Sequence, residues 1–409
     1  MILPTVTNCQ SELSPVKGLE ARVKLQTEQP ISPPTEFNQS TNRDGIHRST
    51  YTASLTSSAL NYRHENGRRY HAYRDGSYLL PNDETEADRL DMIHEMMLAI
   101  MDRKLFLAPI KSPQRVIDLG TGTGIWAIDF ADQYPSAEAC IIYHCISHTE
   151  LIQDRVPPNV KFIVDDIEAE WGYNNPFDFI HARYLAVSIK DYAKLIKQCY
   201  RYAKPGGWVE FQDVDQYPTS EDGSLKGTAF EQYFNEVIGA FNKNGYVGSP
   251  GPHLEQWFRE AGFVDIHVQK YRVPMGTWPK DPYYVRIFPP PSLILFSLSS
   301  HTHEANTHIN IYLQKKIGTW MMLQGEQGYE AGAMAVLTRN ESWSREKVLE
   351  LVDKTKSDAL TSSMGESRSE RYIDMPHAED IARKKSMLDI KAIRLTIRNN
   401  EEDRTISNT

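Results

Sequence analysis

The feature that most constrains this chain is the run Asp118-Leu119-Gly120-Thr121-Gly122-Thr123-Gly124, set between the apolar stretch Arg115-Val116-Ile117 and the helical pattern IWAIDFA. Glycines at alternate positions let the backbone come close to a ligand and aim the free N–H groups of a helix start at it. A strand, a glycine turn and a helix in that order form the first unit of an α/β sheet that binds its ligand at the carboxyl ends of the strands. The rest of the chain is expected to build around that unit.

Further strand-like runs follow at CIIYHCI (140–146), VKFIVDD (160–166), FDFIHAR (177–183) and GGWVEFQDV (206–214), with helical segments such as DYAKLIKQCYRYA among them. Alternation of this kind predicts a parallel, doubly wound sheet. Helices are expected at 226–244 and at 253–261, the second closed by Gly262, and FVDIHVQKYRVP (263–274) reads as a sixth strand. Ahead of the glycine turn, Asp83 and Glu86 are placed as a capping box, and Leu90, Ile93, Met97 and Ile100 form one apolar stripe on a helix over 83–103.

Residues 1–48 are rich in Ser, Thr, Pro, Gln and Asn without apolar period, and are expected to be a disordered tail. Residues 49–360 form the main domain, interrupted at 283–314 by a triple proline and a His/Ser/Thr-rich stretch that reads as an insertion. Residues 361–409 form a charged tail in which KAIRLTIRN (391–399) alternates well enough for one strand. A 40% hydrophobic share and a mean hydropathy of −0.51 fit a normal core diluted by such segments.

With 45 basic and 54 acidic side chains the formal charge is −9, which argues against a protein whose task is neutralising nucleic-acid phosphate. No apolar run is long enough to span a bilayer, and the N-terminus lacks the basic and apolar regions of a secretory signal. Cys9, Cys140, Cys145 and Cys199 form no C-x-x-C pair and read as reduced thiols. Cytoplasm or nucleus is the expected compartment.

Two ligand classes suit the glycine turn. Gly122, Gly124 and Ala127 satisfy the dinucleotide pattern G-x-G-x-x-G/A, a weak signal alone. A pyrophosphate has no use for an acid two residues before the first glycine, whereas Asp118 suits the ammonium of a methionine-like ligand. S-adenosylmethionine is therefore favoured over NAD. Here the chain resembles the class I S-adenosylmethionine-dependent methyltransferases, and more closely the fungal LaeA-like family. The resemblance rests on ENGRRYHAY (65–73), RVIDLGTGTGIWAIDFAD (115–132), VPPNVKFIVDDIE (156–168), FDFIHARYLAVSIKDY (177–192), YAKPGGWVEFQD (202–213), EAGFVDI (260–266) and WPKDP (278–282).

That resemblance implies an α/β, Rossmann-like, mostly parallel sheet of seven strands, with S-adenosylmethionine as methyl donor. Asp118, Gly120, Thr121, Gly122 and Gly124 would cradle its methionine part, Asp166 and Ile167 would face the adenine, and Arg183 would stand at the end of the fourth strand. Where relatives carry an acid for the ribose, this chain reads ACIIYHCISHTELIQDRVPPNV, with His144 or His148 near the place.

Methyl transfer needs alignment and exclusion of water more than an acid–base pair. A base would still help a hydroxyl or amine acceptor, and His181, Asp213 and His253 are candidates. The bland alternatives are a satisfied core histidine at His181 and a helix cap at His253. Arg68-Arg69-Tyr70-His71-Ala72-Tyr73-Arg74 is expected to be a lid, with Tyr70, His71, Tyr73 and Arg74 facing the donor and acceptor, against the alternative of a solvated basic turn. No metal site is expected, because the histidines and cysteines lack paired ligand spacing. The function that follows is methyl transfer to a small secondary metabolite, or regulation of a biosynthetic cluster through protein partners. The rival classes are a catalytically weak interaction module with the same fold and an NAD-dependent oxidoreductase.

Overall fold

A short hairpin precedes the first helix. β1 (Arg63–Glu65) and β2 (Arg68–Tyr70) pair antiparallel, turned by Asn66 at φ 54° and Gly67 at φ 81°, the left-handed pair that a tight hairpin requires. The structure, a computed structural model, describes residues 62–71, 76–143, 156–220, 223–275, 303–363 and 386–390, all within the unit Leu55–Thr409. The expected N-terminal tail at 1–48 lies outside the described residues.

The hairpin is tied to α1 (Glu84–Ile100). Asp83 caps that helix by accepting from the Glu86 N–H, and the Arg68 guanidinium grips the same carboxylate at 2.6 and 2.8 Å. Burial works against ionisation of Asp83, but Arg68 and the Glu86 N–H outweigh it and hold the carboxyl below its ordinary pKa. The second half of the capping box does not form. Glu86 turns instead to Arg89 and takes two hydrogen bonds from it, at 2.6 and 2.8 Å.

The central sheet contains β3 (Arg115–Leu119), β4 (Glu138–Tyr143), β5 (Val160–Val164), β6 (Phe177–Arg183) and β7 (Ala203–Gln212), all parallel in the order β5-β4-β3-β6-β7. Order reverses at β3, so the crevice beyond the carboxyl ends of β3 and β6 is where such a sheet receives a ligand. Helix α2 (Ile125–Gln133) follows β3, and α3 (Tyr192–Tyr202), capped by Asp191, links β6 to β7. Side chains alternate along the strands. Val116 and Phe179 pack with Trp126 and Phe130 of α2, while Ile117 and Ile180 pack with Leu195 and Cys199 of α3.

The later elements cover the site. β8 (Thr219–Ser220), α4 (Ala229–Lys243), α5 (Leu254–Glu260) and β9 (Tyr271–Pro274) lead to α6 (His303–Ala335). A π-helical turn (Val336–Asn340), α7 (Arg345–Ser363) and β10 (Ser386–Ile390) complete the series. Ile93, Met96 and Met97 of α1, Val237 and Phe241 of α4, Met321 and Met334 of α6, and Val348 and Val352 of α7 share one core.

Two expectations need correction. The parallel sheet has five strands among the described residues rather than seven, because β9 and β10 pair with each other in a separate antiparallel sheet ordered β8-β10-β9. The sixth strand is shorter than read: Asp265 stands at φ 55°, which breaks an extended run, and only Tyr271–Pro274 is strand. In the tail a strand forms at Ser386–Ile390, and the strand expected at 391–399 lies outside the described residues. Of the stretch read as an insertion, 283–302 is not described, and 303–314 is helix continuous with α6.

Candidate active site

The glycine turn takes the conformation its composition allows. Gly120, Gly122 and Gly124 stand at φ 66°, 62° and 80°, where a Cβ is strained. A Cβ on Gly120 would also lie 2.6 Å from Leu185 Cδ2. Gly124 is the N-cap of α2 and offers no side chain to its first turn, so the N–H groups there face outward for a ligand.

Gly120, Thr121, Gly122, Asp166, Ile167 and Arg183 line one cleft, faced by Asn82, Asp83, Glu86 and Leu90 around the start of α1. Three buried polar atoms of the lining have no hydrogen-bond partner among the described residues: Thr121 Oγ1, Arg183 Nη1 and, at the start of α1, Asn82 Nδ2. Asp166 closes the end of β5 by accepting from the Glu168 N–H at 2.8 Å. The Ile167 carbonyl accepts from the Trp171 indole at 2.9 Å.

Arg183 is held by a group that sequence reading passed over. Its Nη2 lies 2.8 Å from His94 Nδ1, and His94 Nε2 lies 3.0 Å from Asp129 Oδ2. A guanidinium only donates, so Nδ1 is the acceptor and Nε2 carries the proton given to Asp129. Burial is the main reason the His94 pKa is lowered, and Arg183 adds to it against the pull of Asp129. A neutral imidazole thus orients the arginine. Burial also brings Arg183 down to about 10, which leaves it charged at neutral pH. In the sequence His94 shows only as a polar residue inside the apolar stripe of α1.

Asp118 and His181 are brought together, but below the turn. They are register partners across β3 and β6, with His181 Nδ1 2.7 Å from Asp118 Oδ1. The imidazole is fully buried and stacks on Trp126 at 3.8 Å and 3°. Neither residue lines the cleft. The pair lies beneath the turn, where the sequence reading gives Asp118 a place at the ligand and His181 that of a candidate base or a core histidine.

Asp213, the second candidate base, is buried among four donors. Its carboxylate accepts from the N–H groups of Leu185, Ala186 and Val214 and from the Tyr192 hydroxyl, at 2.7–3.2 Å. Burial pushes its pKa up to about 6, against those four bonds. The segment it holds contains Tyr184 at φ 58° and Val187 at φ 62°, two left-handed non-glycine residues that cost about 1–3 kcal/mol each and persist only when their surroundings fix them.

The expected lid divides. Tyr70 is core rather than lid: it is 1% exposed, with the Arg339 guanidinium 4.4 Å above its ring, and burial pushes its hydroxyl up to about 12. His71 packs edge-on against Tyr78 at 5.0 Å, and Tyr78 lines the cleft. Tyr73 and Arg74 lie outside the described residues, as do His144, His148 and the rest of 144–155. Arg68 and Arg69 do not form a solvated turn, since Arg69 bonds to Asn82 and Glu84. His253 occupies the N-cap of α5 without a capping bond, its ring 5.4 Å from Trp257. Among the described residues no group of three His, Cys, Asp or Glu is placed to hold a metal, and no helix is long and apolar enough to cross a membrane.

A second cavity adjoins the cleft and shares Tyr78, Leu90 and Tyr184 with it.

Comparison with known proteins agrees with this geometry. A family model described as a methyltransferase domain matches residues 92–268. Methyltransferase pytC of Aspergillus terreus is 36% identical over 330 residues, 80% of this chain and 92% of that protein. The secondary metabolism regulator LAE1 of Cochliobolus heterostrophus is 32% identical, over 68% of this chain and 82% of its own. The protein-methionine methyltransferase laeA of Emericella nidulans is 28% identical, over 78% and 77%.

The chain is thus a class I methyltransferase that uses S-adenosylmethionine. Within that class it belongs to the LaeA-like family. The cleft fits the cofactor on its own terms, since the left-handed glycines admit a close ligand and Thr121 Oγ1 and Arg183 Nη1 are buried atoms that a methionine moiety would satisfy.

Proposed function

We propose that this enzyme methylates a small molecule of fungal secondary metabolism, in the cytoplasm or nucleus, and that regulation of a biosynthetic cluster follows from that activity. The observation that carries the donor half is the joint presence of Thr121 Oγ1 and Arg183 Nη1, both buried and unspent, in the glycine cleft. The names of the relatives, a methyltransferase and regulators of secondary metabolism, support the setting.

In this reading Gly120, Thr121 and Gly122 hold the methionine backbone, with Arg183 on its carboxylate and Asp166 and Ile167 beside the adenine. The bound cofactor supplies an activated methyl group on a sulfonium. The protein's part is to fix the acceptor in line with that methyl and to exclude water. Tyr184 stands where the two spaces meet, held by Asp213 through the N–H groups of Leu185 and Ala186. Asp118 and His181 keep the turn in shape. Neither is a base in this scheme; transfer to a neutral oxygen or nitrogen leaves a cationic product, which releases its proton to bulk water once it has left the site.

The test has two arms. Isothermal titration of the full chain with S-adenosylhomocysteine is expected to show one site per chain, and a folded protein that binds none would sink the donor assignment. Metabolite profiling of a deletion strain is expected to show one methylated compound lost and its unmethylated precursor gained. Broad silencing of clusters without such a precursor would favour a regulator acting on protein.

A further inference from the structure

We propose that the second cavity is the acceptor site, and that it takes a neutral, planar, aromatic small molecule bearing one hydroxyl or carbonyl that pairs with Tyr329. This rests on reading the first cleft as the donor site.

The walls come from α4, with Tyr233, Phe234 and Phe241, and from α6, with Met321 and Tyr329. Aromatic faces and thioethers suit a flat apolar body. Helix α6 presents Gly325, Gly328 and Gly332 to this space, although glycine costs about 1 kcal/mol against alanine inside a helix. Each glycine clears a particular group. A Cβ on Gly325 would lie 2.8 Å from the Tyr329 hydroxyl, on Gly328 3.4 Å from Arg89 Cδ, and on Gly332 3.1 Å from the Tyr233 hydroxyl.

A polar group points independently to a ligand. Tyr329 is 6% exposed and lines the cavity, and its buried hydroxyl has no hydrogen-bond partner among the described residues. Leaving such a group unsatisfied costs about 1–3 kcal/mol, which phenylalanine would avoid. The Tyr233 hydroxyl, by contrast, is already given to the Tyr329 carbonyl at 2.8 Å.

Charge decides the rest. Among the described residues Arg89 is the cation at the wall, and Glu86 takes two of its hydrogen bonds while Gln324 takes a third at 3.1 Å. The paired guanidinium offers no net charge, so a neutral acceptor fits better than a carboxylate or phosphate.

The experiment uses the full chain with S-adenosylhomocysteine, titrated calorimetrically with 2-naphthol, 4-hydroxycoumarin and N-acetylmethionine amide. At least one aromatic is expected to bind and the amide not. Tyr329→Phe is expected to weaken the aromatic about ten-fold, the value of one hydrogen bond, with S-adenosylhomocysteine affinity and thermal midpoint not reduced. Gly328→Leu, which fills the cavity, is expected to abolish aromatic binding while S-adenosylhomocysteine still binds. If S-adenosylhomocysteine binds but neither aromatic does, or the amide is preferred, or Tyr329→Phe leaves aromatic affinity unchanged, the proposal is overturned. Loss of S-adenosylhomocysteine binding in the wild type would overturn the donor reading instead.

Discussion

Arg183 spends one nitrogen on His94 and keeps another for the cleft, so its replacement separates binding from folding. In Arg183→Met, S-adenosylhomocysteine should bind about 10–100-fold more weakly, the range for a hydrogen bond to a charged group. Titration calorimetry reads this directly, and an affinity within two-fold of wild type would remove Arg183 from the donor site. The glycine turn was legible from sequence because its conformation is written in composition: three left-handed positions call for three glycines. The role of Asp118 was not, since its partner lies 63 residues away and the two meet only through the register of β3 with β6. His94 was invisible for the same reason, because what makes it more than a polar residue on a helix is Asp129 and Arg183.

At the scale of elements, the β6–α3 connection depends on one buried carboxyl group. The folded pKa of Asp213, about 6, lies above its ordinary 3.8. The folded state therefore holds the proton more tightly than the unfolded chain does. That contribution is fully present below pH 4 and is lost as pH rises through 6, and a difference of this size corresponds to about 3 kcal/mol. Asp213→Asn cannot titrate. Urea unfolding from pH 4 to 7 should show the stability advantage of wild type over this variant shrinking as pH rises. An advantage that grows with pH would mean that the four hydrogen bonds keep the carboxylate ionised throughout. The strands themselves were readable, because parallel strands buried on both faces are nearly continuous apolar runs. Their partners were less so: nothing local in YRVP distinguishes a sixth parallel strand from the antiparallel edge seen at β9.

Across the whole described molecule, the C-terminal part closes structures begun much earlier. β10 is the middle strand of its sheet, paired with β8 and β9. A chain ending at Lys385 would leave both neighbours with open edges, and its thermal midpoint should fall by about 5 °C, the equivalent of roughly 2 kcal/mol in a domain of this size. Scanning fluorimetry would measure it, and an unchanged midpoint would make β10 dispensable. Long-range closure recurs elsewhere. Arg339 of the π-helical turn pairs with Glu65 of the first hairpin, 274 residues away, and Gln324 meets Arg89 across 235. Such pairings are beyond local sequence patterns, which is why the parallel sheet was foreseen and the covering helices were not placed.

The helix α6, ending at Ala335, has a consequence for the chain's birth on the ribosome. Synthesis delivers the parallel sheet and its glycine turn once Gln212 has emerged, more than a hundred residues before Tyr329 and Gly332 follow. Domains tend to fold as their parts are released. A nascent chain therefore completes every residue that lines its glycine cleft well before the walls of the second cavity are complete.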